Sequence, residues 1–390
     1  MGAKGSKPEA KNGGDHREKA STAKRKQKIT KDQAKQAANR QLSCMSRDKR
    51  TKREAAKEED AAPEGGSGLA EHLRKIAPFN GRWDITKTIN EGTYGVVFDA
   101  FDIKTKVQGV IKVAKAKAAG NQATEWESFL LERIFRDDNE AGVVRILDRG
   151  MLADEQGQGM EFVVLEKAQL PVREWLQNET PTGKQILVCD IAVQMLKGIS
   201  DLHYLGLLHR DLKPDNMGIY SKEQPVCLLF DLGMARMYTD NEAMVRPPRT
   251  VVAFRGTPEW ASGHAAKGRE QTRFDDLVAW LYVIVELMDP QDESNQPLPW
   301  TYRCQAKAVN ILKSTYAPAR LLLRDCPPPF YAIYSYLMTA NRYKPPDYTF
   351  IADRVKESRQ FLVQKKEKEG SEQKPGDAKP SESPAPIPSK

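Results

Sequence analysis

Cysteine is scarce in this chain of 390 residues, with five in all. Cys44, Cys189, Cys227, Cys304 and Cys326 form no C-x-x-C pair and share no regular spacing. That excludes a zinc ribbon or a disulfide framework and predicts reduced thiols in a cytosolic or nuclear compartment. Long apolar runs are also missing. "LVAWLYVIVELM" (277–288) is the longest and is interrupted by Glu286, well short of the roughly 20 residues that span a bilayer. It predicts a buried core helix. No secretory signal opens the chain, because Met1 is followed by glycine and lysines rather than an apolar segment. Internal repeats are absent as well.

A basic folded surface is the next absence. The formal charge is +8, but residues 1–60 carry 18 Lys+Arg against 9 Asp+Glu, and the remaining 330 residues sum to −1. The positive charge therefore belongs to a leader and not to a body, which argues against a specific nucleic-acid-binding domain. Residues 1–75 have few aromatic or large apolar side chains to offset the entropy of ordering, and predict a disordered basic leader. Residues 364–390 predict a second disordered tail, rich in Pro, Ser and Lys.

Between them the pattern changes. "RWDITKTIN" (82–90), "GVVFDAFD" (95–102), "VQGVIKVAK" (107–115), "VVRILDRG" (143–150) and "EFVVLEK" (161–167) alternate apolar and polar residues, which predicts five antiparallel strands. "ATEWESFLLERIFR" (123–136) predicts one helix, with Trp126, Leu130 and Ile134 or Phe135 on its apolar face. From 185 onward the periodicity is helical, with further segments near 273–289, 328–340 and 348–363. The expected fold is α+β: a small antiparallel lobe with one helix, followed by a larger, mainly helical lobe.

Three stretches carry candidate chemistry. "NEGTYGVV" (90–97) places Gly92 and Gly95 in a hairpin whose backbone amides can close over phosphates, although such a hairpin is far more often only a turn. Lys112 follows apolar residues on the third strand, where burial demands an anion; Glu127 on the next helix and a nucleotide phosphate both qualify. A lysine snorkelling to water is the plainer alternative there. "LLHRDLKPDNMGI" (207–219) packs Asp211, Lys213 and Asn216 between apolar flanks. Asp211 can orient a hydroxyl and accept its proton, Lys213 can neutralise a transferring phosphoryl group, and Asn216 offers an oxygen to a hard divalent cation. Fifteen residues beyond Asn216, Asp231 follows an apolar run and precedes "LG".

"HRDLKPDN" with "DLG" downstream resembles the catalytic and magnesium loops of a protein kinase, and the hairpin, strand lysine and helix glutamate precede them in the same order. The match spans 80–363, with the small lobe at 80–167 and the large lobe at 168–363. "VRPPRTVVAFRGTPEWAS", "REQTRFDDLVAWLYVIVEL", "PLPW" and "PPDYTFI" resemble the casein kinase I superfamily, nearest its tau-tubulin kinase branch. The resemblance implies a serine/threonine kinase using ATP and Mg2+. It assigns catalysis to Asp211 and Lys213, magnesium to Asn216 and Asp231, and ATP contacts to Asn90, Gly92, Gly95, Val97, Lys112 and Glu127. Leu165 falls at the gatekeeper position, and the main chain of Glu166 and Ala168 would meet the adenine. Asp276 would anchor the catalytic loop backbone. "ASGH" (261–264) stands where kinases carry A-P-E.

Departures are visible too. Asn90 occupies the first loop-glycine position and is expected to tolerate a positive φ, Leu232 replaces a phenylalanine, and Glu259 replaces an arginine that helps bind acidic or phosphorylated substrates. Arg246, Arg249 and Arg255 nearby could compensate for that last exchange. A pseudokinase scaffold is the competing expectation.

"MGAKGSK" places Gly2 in an N-myristoylation pattern. One acyl chain binds membranes only marginally, and the +9 leader supplies the second signal, attraction to an anionic surface. The expected picture is a cytoplasmic, membrane-associated monomer acting on protein Ser/Thr hydroxyls, with the nucleus as the alternative location suggested by "KRKQK" and "RDKRTKR".

Overall fold

A computed structural model describes residues 68–91, 95–115, 123–138, 140–221, 225–289, 298–300, 309–313 and 319–372. The basic leader through residue 67, Gly2 and Gly92 lie outside these residues.

The first described element is a helix that the charge-rich composition concealed, α1 (Gly68–Ile76). Leu69, Ala70 and Leu73 share one face; Glu71 lies in its first turn, with Arg74 and Lys75 in its last, as the helix dipole favours. The expected leader therefore stops before residue 75. Ala70 and Leu73 are sealed against Phe79, Trp83 and Phe162 of the small lobe. His72 Nε2 lies 3.0 Å from Ala153 O, and Arg74 donates to Thr88 Oγ1 at 2.5 Å. Leu73→Ala is expected to destabilise the small lobe by about 2–5 kcal/mol through the cavity it leaves, read as a lowered denaturant midpoint; an unchanged midpoint would show α1 to be decoration.

β1 (Trp83–Glu91), β2 (Gly95–Asp102), β3 (Gln108–Ala114), α2 (Ala123–Asp137), β4 (Ile146–Ala153) and β5 (Gly159–Glu166) follow. The strands form one antiparallel sheet in the order β1-β2-β3-β5-β4. Alternation decides its two faces. Val96, Phe98, Ala100, Ile111 and Val113 point into the small-lobe core, so Val97, Val110 and Lys112 take the other face. On α2 the buried stripe is Glu127, Leu130, Leu131 and Ile134, while Trp126 and Phe135 sit at its margin.

The large lobe adds β6 (Leu170–Pro171), α3 (Val172–Leu176), α4 (Pro181–Tyr204), β7 (Leu207–Leu208), β8 (Met217–Ile219), β9 (Cys227–Leu229) and β10 (Arg236–Met237). α5 (Arg273–Leu287), α6 (Ala319–Leu322), α7 (Phe330–Thr339) and α8 (Tyr348–Glu372) complete it. Thr180 caps α4 by accepting from Gly183 N at 3.2 Å, with Pro181 in the first helical position. α5 begins in a capping box between Thr272 and Asp275, and every residue from Phe274 to Leu287 is buried. A helix buried on all sides belongs inside a lobe, and among the described residues no helix is long and apolar enough to cross a membrane. α8 runs past the expected boundary at 363 because its polar flank is tied to α4, Arg359 to Asp190 at 2.7 Å and Glu369 to Thr182 at 3.0 Å. Cys189 and Cys227 are buried free thiols, and burial first of all pushes both up to about 12, which leaves them protonated and unreactive.

Candidate active site

β3 carries Lys112 in register with Val97 of β2 and Val163 of β5, and aims it away from the small-lobe core. Its ammonium meets both oxygens of Glu127 on α2, at 3.0 and 2.9 Å, and lies 3.6 Å from Asp231 Oδ1. Glu127 is 2% exposed, so its carboxylate is buried against the lysine that pairs with it. Burial alone would lower the Lys112 pKa; the charges of Glu127 and Asp231 overcome it and raise the group above its ordinary value. Burial pushes Asp231 up, while Lys112, His209 and Lys213 pull harder the other way, and its carboxyl ends below the ordinary range. Glu127 Oε1 also accepts the backbone N–H of Leu232 at 3.0 Å, and the Trp126 indole donates to Ala235 O at 2.9 Å. The helix is thereby locked to the segment that carries Asp231.

The second cluster is built on the loop between β7 and β8. Asp211 Oδ1 accepts from Thr257 Oγ1 at 2.7 Å, and Oδ2 lies 3.3 Å from Lys213 Nζ. Asn216 spends its amide nitrogen on Asp211 O at 2.8 Å, which turns its amide oxygen the other way. Asp276 of α5 accepts the backbone N–H groups of His209 and Arg210, at 2.8 and 2.9 Å, and pins the start of the loop. Arg210 and Asp231 both adopt left-handed φ, 69° and 64°, a strained conformation held by these bonds. Two hydrogen bonds splice the clusters together: Phe230 N to Asn216 O at 3.0 Å, and His209 Nε2 with Phe230 O at 3.1 Å.

Residues 83–310, more than half of the chain, match the family described as protein kinase domain. The chain belongs to the protein kinase family. Its similar proteins include a "Probable serine/threonine-protein kinase" of Dictyostelium discoideum, 29% identical over 273 residues, 70% of this chain and 52% of that one. A "Putative casein kinase I" of Caenorhabditis elegans is 25% identical over 235 residues, 59% of this chain and 65% of its own. Another serine/threonine-protein kinase of that worm is 38% identical over 122 residues, 31% of this chain and 29% of its own. The kinase thus spans less than two thirds of each of these relatives.

Leu165 is buried on β5 between Val110 and Ile146. Glu166 N donates to Arg145 O at 3.0 Å, and Glu166 O accepts from the Tyr220 hydroxyl at 3.4 Å. Ala168 presses on the loop floor: a Cβ on Gly218 would meet the Ala168 Cβ at 2.5 Å. Gly95 has a packing reason of its own, since a Cβ there would lie 2.2 Å from Val113 O. Asn90 is exposed, pairs with Val97 across the hairpin and has no positive φ; the strand register shifts between Thr88 and Asn90.

Asn216 and Asp231 are hard oxygen donors, one neutral and one anionic, and fit magnesium. Among the described residues no group of three His, Cys, Asp or Glu could hold a metal ion. Thr257 is a site residue that sequence reasoning missed, although "FRGTPEW" contains it. Of the arginines expected to compensate for Glu259, Arg249 is bound bidentately by Glu270 at 2.5 and 3.0 Å, and Arg246 Nε donates to Thr239 O at 2.8 Å. Glu270 also meets Arg236 at 3.3 Å, so one carboxylate draws the segment onto β10. Arg210 Nε donates to Met234 O at 2.7 Å; burial and then the Arg236 charge lower its pKa to about 10.

Proposed function

We propose that this kinase is an active, ATP- and Mg2+-dependent serine/threonine kinase. The observation that carries the reading is the Lys112–Glu127–Asp231 network, with the ammonium within 3.6 Å of three carboxylate oxygens. Bound ATP and magnesium supply the transferable phosphoryl group and much of its charge neutralisation. Lys112 would bind the α/β-phosphates, Asn216 and Asp231 would hold the metal, Asp211 would orient the acceptor hydroxyl and take its proton, and Lys213 would stabilise charge on the moving group. Lysine two residues after Asp211 favours Ser/Thr over Tyr. "VRPPR" and "FRGT" support a place near the tau-tubulin branch of the casein kinase I superfamily. The test is radiolabelled phosphate transfer to casein and to the chain itself; a scaffold would show thermal stabilisation by ATP and magnesium without turnover.

The chain acts as a monomer in the cytoplasm in this proposal and reaches anionic membranes through a myristoylated Gly2 and its basic leader. A fluorescent fusion of the full chain is expected at membranes and its Gly2→Ala form in the cytosol. Identical distributions would remove the lipid anchor.

A further inference from the structure

Lys313 takes no part in the site described above, yet it is 4% exposed. Its Nζ donates to Pro258 O and to Ala261 O, both at 2.6 Å. The ammonium rests on two ring faces, 5.1 Å from Tyr282 and 5.2 Å from Trp300, which themselves meet edge to face at 4.9 Å. Trp300 Nε1 donates to Glu259 O at 2.8 Å, between the two carbonyls that the lysine holds. The Trp260 indole donates to Glu286 Oε2 at 2.6 Å. Each residue from 257 to 261 is thus fastened, and the first of them is Thr257, bonded to the catalytic carboxylate at 2.7 Å. Gly256 lets the loop lie on the catalytic loop: its φ is +103°, and a Cβ there would meet Arg210 O at 2.4 Å.

On the reading that this chain phosphorylates polypeptides, we propose that Lys313 is a positioning residue for the polypeptide substrate. It clamps the 257–261 loop from beneath, beside Asp211, so that the outer side of the loop is presented in one shape to the incoming chain. An ammonium is an expensive group to bury, and a methionine of similar length would pack there without that penalty. What the methionine lacks is a donor for two carbonyls at once. The lysine is compensated by those carbonyls, by two aromatic faces and by the charge of Glu259.

The clamp has a pH dependence with a definite sign. Burial lowers the Lys313 pKa to about 7, against the opposing pull of Glu259. Among the described residues of α5, Tyr282 is kept neutral because burial raises its pKa, Glu286 is engaged by Trp260 and Arg173, and Asp275 and Asp276 are engaged by Arg342 and His203. Below neutrality the two bonds to the loop are charge-assisted; as pH rises through 7 they become ordinary amine bonds and weaken.

The full chain and its Lys313→Met and Lys313→Arg forms decide the matter, with casein as the polypeptide probe. The methionine variant is expected to raise KM for casein about tenfold, from the loss of two buried hydrogen bonds, with KM for ATP unchanged. Wild-type KM for casein should climb from pH 6 to 8, whereas the arginine variant, always cationic, should show no climb. An unchanged casein KM in the methionine variant, or an equal rise in KM for ATP, overturns the clamp. Amide hydrogen exchange supplies a readout independent of turnover: residues 257–261 should exchange faster in Lys313→Met, with α5 protected as before. Uniformly faster exchange throughout the large lobe, or no change in the loop, also overturns it. Wild-type protein that transfers no phosphate, yet whose loop loosens in the variant, overturns the kinase reading and leaves the clamp standing.

Discussion

An Asp211→Asn kinase is expected to lose about 10²–10⁴-fold in kcat while still binding nucleotide, the range a positioned general base contributes. The two oxygens of Asp211 have distinct duties. One is held by Thr257 at 2.7 Å, and the other faces Lys213 at 3.3 Å and the Asn216 amide at 3.4 Å. An amide of the same shape would put NH2 where an acceptor is needed, and would leave Lys213 without its counter-charge. Nucleotide affinity should survive, because Lys112, Glu127 and Asp231 form a separate cluster, joined to the catalytic loop through Phe230, whose N–H donates to Asn216 O and whose carbonyl meets His209 Nε2. Radiolabelled transfer and ATP-dependent thermal shifts measure the two halves. Equal transfer by both proteins would sink the assignment of Asp211. Unimpaired ATP binding with no transfer by either would favour the scaffold.

How much of this was legible in advance follows from where each signal lies along the chain. β2 was readable to its ends, since Val96, Phe98 and Ala100 alternate cleanly with half-exposed neighbours. The Asp211–Asn216 loop was readable because its chemistry is compressed into six consecutive positions. Glu127 could be named as a mate for Lys112 because it lies one element away, although only the fold shows both of its oxygens engaged and a third bond to Leu232 N. α1 escaped because nine residues carry too little periodicity to stand out beside a charged leader, and its stability comes from Trp83 and Phe162. Lys313 escaped for a different reason. Its acceptors are main-chain carbonyls 52 and 55 residues away, which have no side-chain signature. The ion pair of Asp275 and Arg342, 2.9 Å long and spanning 67 positions, was hidden in the same way.

Asp276→Ala is expected to destabilise the large lobe by about 3–5 kcal/mol, the loss typical of breaking a buried charged network. Asp276 is 2% exposed and accepts three hydrogen bonds: His209 N at 2.8 Å, Arg210 N at 2.9 Å and His203 Nε2 at 3.0 Å. Burial lowers the His203 pKa in spite of the attraction of Asp276, so the ring is neutral at pH 7. A neutral ring that donates from Nε2 must accept at Nδ1, which assigns the 2.6 Å contact there to the Tyr348 hydroxyl as donor. A chain of bonds thus runs from α8 through α4 and α5 to the backbone of the catalytic loop. Alanine strands three buried donors, each worth about 1–3 kcal/mol unsatisfied, and frees Arg210 from its left-handed φ. Asparagine keeps one acceptor oxygen and should fall between alanine and wild type. The same histidine fixes a pH trend: on acidification below its ordinary value of about 6.5, the unfolded chain gains a proton that the folded one refuses, so stability falls there. Denaturant midpoints at pH 7.5 and 5.5 measure both effects. The His203 share of the acid loss should vanish in His203→Gln, and an Asp276→Ala midpoint equal to wild type would mean that the catalytic loop holds its shape without α5.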